Sequence, residues 1–154
     1  MDASSTFPMK FATLLCSRNR SEENLVVVLV DTSVWIADSV RAGFIASHTD
    51  LDELATCPPV IQEVLQGTQA QSYVAVRKAL FAARILESPM SIEVFEDAAD
   101  IYRSGRAIGF SIRSAFDCLI AAVAIRNDVE VLHSDRDFET IARFTRLQSR
   151  YVAL

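Results

Sequence analysis

A chain of 154 residues with 51% apolar and 23% charged side chains has the size and composition of one soluble domain with a substantial core. Fifteen basic against twenty acidic side chains give a formal net charge of −5, which argues against a partner bound by bulk positive charge. The longest apolar runs, residues 25–30 and 118–125, fall far short of the roughly 20 residues a membrane span requires.

Residues 1–24 are polar, carry no clear period and precede the first strand signal. Their one apolar stretch, residues 11–16, is too short for a signal-peptide core, which needs about 7–15 apolar residues. The expectation is a flexible N-terminal extension, or sequence upstream of the true start with Met9 as an alternative. Residues 25–154 then form the folded domain. Cys16, Cys57 and Cys118 lack paired or CxxC spacing, which favours a reducing, cytoplasmic setting over a disulfide framework or zinc site.

Residues 25–30 (LVVVLV) form an unbroken β-branched run of the kind found in a strand covered on both faces. Asp31 ends it and Thr32-Ser33 opens a helix. A short strand is predicted over 54–57. Pro58-Pro59 then starts a helix around 60–66 that Gly67 closes. Helical spacing covers 70–85 and 92–106. Ser114 begins a nearly all-apolar, and therefore buried, helix to about Asn127. A second central strand at 129–132, a helix over 136–144 and a closing strand at 147–152 complete the chain. Strands alternating with helices imply a three-layer α/β/α fold with a mainly parallel central sheet.

Four acidic residues sit at the edges of these apolar runs: Asp31, Glu63, Asp117 and Asp135. Each has a purely structural alternative. Asp31 and Asp135 are placed to cap helices, Glu63 to face solvent, and Asp117 to form a capping box with Ser114. Asp137 is accounted for by the preference of first-turn acids for the helix dipole. Yet burying carboxylates is costly unless they are hydrogen-bonded or bound to a cation. A convergent all-oxygen cluster would suit Mg²⁺ or Mn²⁺. Ser33 is placed to hold a neighbouring carboxylate or a water. His48 and His133 read as packed residues, and no nucleophile–histidine arrangement, P-loop or dinucleotide loop appears.

The charge balance permits RNA as a substrate without arguing for it. Without the four acids the remainder is fifteen basic against sixteen acidic, and residues 103–154 carry eight arginines against six acids. Arginine outnumbers lysine 13 to 2, which suits phosphate oxygens but equally reflects a GC-rich coding bias.

In order, V-D-T-S-V-W, P-x-V-x-x-E-V-L-x-G, D-C-L-I-A-A-V-A and L-H-x-D-R-D-F resemble the four motifs of PIN-domain ribonucleases, specifically VapC-type toxins of toxin–antitoxin modules. The likeness covers about residues 26–152. It implies an endoribonuclease dependent on Mg²⁺ or Mn²⁺, with Asp31, Glu63, Asp117 and Asp135 as metal ligands, directly or through water. Thr32 or Ser33 would stand behind them, with Asp137 a weaker candidate. Arg113 and Arg136 flank the third and fourth motifs and become candidates for RNA phosphates, solvated surface charge being the alternative. The resemblance also implies a small antitoxin partner and a homodimer. The departure from it is the extension before the first aspartate. Competing expectations are a non-catalytic PIN-like module that binds RNA or protein, and a metal-dependent DNA nuclease. A phosphotransfer enzyme with Asp31 as nucleophile would want a second aspartate where Ser33 stands.

Overall fold

The computed structural model describes residues 26–154, so the predicted extension and the first residue of the 25–30 run lie outside the described residues. Five strands form one sheet: β1 (Val28–Val30), β2 (Leu54–Thr56), β3 (Arg84–Ile85), β4 (Glu130–His133) and β5 (Ser149–Tyr151). Their order is β3-β2-β1-β4-β5, and every pairing is parallel. Six α-helices flank it: α1 (Thr32–Val40), α2 (Pro58–Gly67), α3 (Tyr73–Ala82), α4 (Ile92–Ala107), α5 (Ala115–Asn127) and α6 (Arg136–Ala142). The expected three-layer arrangement is present.

All of β1 and all of β4 but Glu130 are buried, as apolar central strands are when helices cover both faces. Val28, Leu29 and Val30 pair with Glu130, Val131 and Leu132 on one side, and Val28 and Leu29 pair with Leu54 and Ala55 on the other. Helix α5 is the most enclosed helix, with Cys118, Ile120 and residues 121–124 all buried. It begins where predicted because the Ser114 hydroxyl accepts the Phe116 and Asp117 N–H groups. It ends at Asp128, whose left-handed backbone (φ 52°) closes the helix as Asn or Asp can.

The expected helix over 70–85 is shorter than its apolar pattern. It stops at Ala82, and Arg84–Ile85 becomes the edge strand β3, paired with Ala55 and Thr56. No glycine or proline separates helix from strand there. The switch comes from the free edge of β2, whose Thr56 carbonyl accepts the Leu86 N–H at 2.8 Å. Helix α2 starts at the two prolines as expected, taking both into its first turn, where a missing N–H costs nothing.

From β1 the chain runs outward to β2 and β3, then returns to the other side of β1 for β4 and β5. The strand order therefore reverses between β1 and β4, and a crevice opens beyond their carboxyl ends.

Candidate active site

Two of the four acids flank that crevice by construction. Asp31 follows β1 directly, and its N–H donates to the Leu132 carbonyl of β4 at 2.9 Å. Asp135 follows β4 by one residue and caps α6, accepting the Asp137 N–H at 3.0 Å. Asp31 also caps its helix, accepting from the Ser33 N–H at 3.0 Å and the Ser33 hydroxyl at 2.6 Å. Both capping roles weighed from the sequence are real. Capping fixes the direction of each carboxylate and leaves lone pairs to spare, so it does not compete with a second role.

Glu63 enters from α2, and its Oε2 accepts a 2.8 Å hydrogen bond from the Thr32 hydroxyl at the start of α1. It is half-buried and held, rather than a free solvent-facing residue. Asp117 enters from the first turn of α5. Its Oδ2 is buried and has no hydrogen-bond partner. Burial foremost, then the charges of Asp31, Asp135, Asp137 and Glu63, push the Asp117 carboxyl up to about 8. The carboxylates of Asp31, Asp135, Asp137 and Glu63 therefore lie near enough to bear on the ionisation of Asp117. Burial likewise raises Asp31, against the hydrogen bonds from Ser33.

Oxygen atoms of Asp117, Asp135 and Asp137 lie within 4.8 Å of one another, a span that one hard cation can bridge. An orphaned buried carboxylate oxygen inside an all-oxygen, strongly anionic pocket fits a hard divalent cation. The protein-family profile described as PIN domain matches residues 28–144. This chain belongs to the PIN-domain family.

Among curated relatives of this PIN chain are VapC ribonuclease Mb1587 of Mycobacterium bovis and Ribonuclease VapC11 of Mycobacterium tuberculosis. Each is 34% identical over 131 residues, covering 80% of this chain and 97% of the relative. Among solved structures, DNA-bound VapBC from Salmonella typhimurium aligns with a TM-score of 0.66 at 14% identity, over 82% of this chain and 98% of that one. VapBC-5 from Mycobacterium tuberculosis aligns with a TM-score of 0.60 at 20% identity, over 82% and 99%. At those identities the structural likeness shows the fold.

The PIN scaffold thus sets Asp117 and Asp135 together with Asp137, and leaves Asp31 and Glu63 near enough to act on Asp117 electrostatically. Two further residues stand differently from their sequence reading. Asp137, which the helix dipole accounted for, is buried beside Asp117 and Asp135, and its Oδ2 accepts the Arg113 N–H at 2.8 Å. Its signal was the D-x-D spacing, which puts two carboxylates on one helical turn. Arg113, considered for RNA phosphates, instead directs its side chain into the acids: Nε reaches Asp137 Oδ1 at 3.2 Å and Nη2 reaches Asp135 Oδ1 at 2.6 Å. No local pattern announced this contact, which spans more than twenty residues. Arg136 is exposed on α6 without an ion pair among the described residues.

His133, Cys57 and Cys118 are quiet. His133 is fully buried between Phe138 (5.0 Å between ring centres) and Tyr151 (5.9 Å), and burial lowers its pKa. It is packed, as expected. Burial pushes the Cys57 thiol up to about 12 and Cys118 to about 11, with neighbouring carboxylates adding to both. Neither is a thiolate nucleophile at neutral pH.

Proposed function

We propose that this chain is an endoribonuclease toxin dependent on Mg²⁺ or Mn²⁺, acting in the cytoplasm as the catalytic half of a toxin–antitoxin module. The observation that carries the reading is Asp117: a buried carboxylate with an unpartnered oxygen, surrounded by four other acids at the sheet's switch point. Such a group is costly to the fold and has no structural return that its Ser114 cap does not already supply. The relatives named as VapC ribonucleases support the substrate class.

In this reading Asp31, Glu63, Asp117 and Asp135 hold the ion, with Asp137 beside them. When bound, a divalent ion supplies an activated water at neutral pH and neutralises charge on the phosphate being cleaved. The chain's own residues set the geometry. Ser33 fixes one Asp31 oxygen, Thr32 fixes one Glu63 oxygen, and α5 buries the Asp117 side chain. No histidine is positioned as a general base, and none is required. Arg136, exposed at the mouth end of α6, is the remaining candidate for an RNA phosphate.

Solved relatives described as VapBC complexes support a VapB-type antitoxin as partner, and the family resemblance supports a homodimer. Exposed apolar side chains on α1 (Ile36, Val40) and α3 (Val74, Phe81) offer surface of the kind a partner covers. No described helix is long and apolar enough to cross a membrane.

The test is cleavage of labelled single-stranded RNA by the purified full chain in Mg²⁺, in Mn²⁺ and in EDTA, with DNA of the same sequence alongside. Cleavage of RNA that EDTA abolishes and added metal restores is expected. Metal-independent cleavage, cleavage of DNA alone, or none with either nucleic acid overturns the reading.

A further inference from the structure

Five carboxylates meet in the pocket, and among the described residues only one cation is ion-paired to any of them. Arg113 donates from Nη2 to Asp135 Oδ1 at 2.6 Å and from Nε to Asp137 Oδ1 at 3.2 Å. Its backbone N–H takes the other Asp137 oxygen at 2.8 Å. Of the four oxygens that Asp135 and Asp137 present, three are therefore engaged by Arg113. Asp135 Oδ1 also accepts the Asp137 N–H at 3.0 Å, so that atom is already doubly bonded. These are two of the three residues whose oxygens approach within 4.8 Å of one another.

We propose that Arg113 is a tethered counter-ion that competes with the divalent ion for the Asp135–Asp137 side of the pocket. The guanidinium neutralises part of the cluster in the metal-free protein and must release both Asp135 Oδ1 and Asp137 Oδ1 before an ion can be held there. The inference rests on the metal-site reading above and adds a residue that raises the metal concentration at which the enzyme loads.

The chemistry favours competition over support. A guanidinium within hydrogen-bond distance of an oxygen repels a dication sharing that oxygen, and the water around the exposed guanidinium screens that repulsion in part. The Arg113 side chain is itself 69% exposed, so it can swing into solvent at low cost once displaced. Its backbone bond to Asp137 stays in place whichever way the side chain points, so the carboxylate is anchored independently of the guanidinium. This separates the side chain's electrostatic part from any role in holding the loop against α6.

The test is calorimetric titration of Mn²⁺ into the full chain without RNA, comparing wild type with Arg113→Gln and Arg113→Lys. Removing the charge is expected to tighten Mn²⁺ binding about fivefold, the scale set by an exposed ion pair. Lysine, a point charge unable to bridge two carboxylates, is expected to fall between. A second readout uses the wild type alone: the Arg113 Nε–H resonance should leave its hydrogen-bonded position as Mg²⁺ saturates the site. Equal or weaker Mn²⁺ binding by Arg113→Gln, or an Nε–H resonance unmoved at saturation, overturns the proposal. If wild type and variants all fail to bind, the metal site itself is wrong and this inference falls with it. Equal affinities in all three sink the competition alone.

Discussion

The Ser33 hydroxyl joins the ends of the two central strands, accepting the Ser134 N–H at 3.0 Å while donating to Asp31 at 2.6 Å. One oxygen thereby satisfies the chain after β4 and aims the carboxylate after β1. Ser33→Ala should cost about 1–3 kcal/mol, because it leaves a part-buried N–H without its acceptor. It should also weaken Mn²⁺ binding by freeing Asp31 to turn. Denaturant unfolding and metal titration check the two effects separately. Unchanged stability would mean that water replaces the hydroxyl at Ser134.

Asp31→Asn should leave the metal-free fold at least as stable as wild type while abolishing cleavage. Asparagine caps helices as well as aspartate and keeps an acceptor for Ser33. It removes a charge that burial already disfavours, since Asp31 is raised from its ordinary value. The thermal shift produced by Mn²⁺ in wild type should shrink or vanish. A well-folded Asp31→Asn protein that still cleaves RNA with metal would remove Asp31 from the site.

Metal affinity should climb with pH up to about 8 and then level. Asp117, held near that value in the folded metal-free protein, keeps its proton through the neutral range and must lose it to serve as a ligand. One released proton gives at most about a tenfold gain in affinity per pH unit. The same shift has a second sign. Because the folded state holds this proton more tightly than the unfolded chain, its contribution to stability is full below pH about 4. That contribution is lost as pH rises towards 8. Asp117→Asn should flatten the decline in metal-free stability over that window. Titrations of Mn²⁺ at several pH values, with urea melts in EDTA, measure both. A metal affinity independent of pH between 6 and 8 would show that Asp117 is already ionised.

The sequence carried the site better than its supports. Asp31 and Asp135 were legible because a strand-ending carboxylate in an α/β sheet can face only one edge, and the parallel pairing of β1 with β4 puts both at that edge. Asp117 was legible because an acid inside an all-apolar helix demands an explanation. What the sequence did not show depends on pairings distant in the chain. The Thr32–Glu63 bond joins residues 31 apart, and the Ser33–Ser134 bond joins residues 101 apart. Arg113 read as a candidate for RNA phosphates or a solvated arginine, because nothing in its neighbourhood reveals Asp135 and Asp137 at the start of α6. The edge strand β3 was missed for the same reason, since residues 84–85 take extended structure only from the partner strand beside them.

Residues 1–24 should prove dispensable for cleavage. They precede the PIN-domain match, which begins at residue 28, and carry none of the five clustered acids. Val26 is exposed and Val27 half-buried, so among the described residues enclosure begins at Val28, where the ladder to Leu54 and Glu130 starts. A chain starting near Leu25 keeps that ladder whole with residues to spare on its leading side. Its unfolding free energy should stay within about 0.5 kcal/mol of the full chain, as for changes away from any core contact. Its cleavage rate on RNA with Mn²⁺ should be essentially that of the full chain. The contrary result has a specific meaning, because Phe11, Leu14 and Leu15 lie close together among the apolar side chains of the extension. A marked fall in melting temperature that Phe11→Ser with Leu14→Ser reproduces in the full chain would show that this segment packs on the domain.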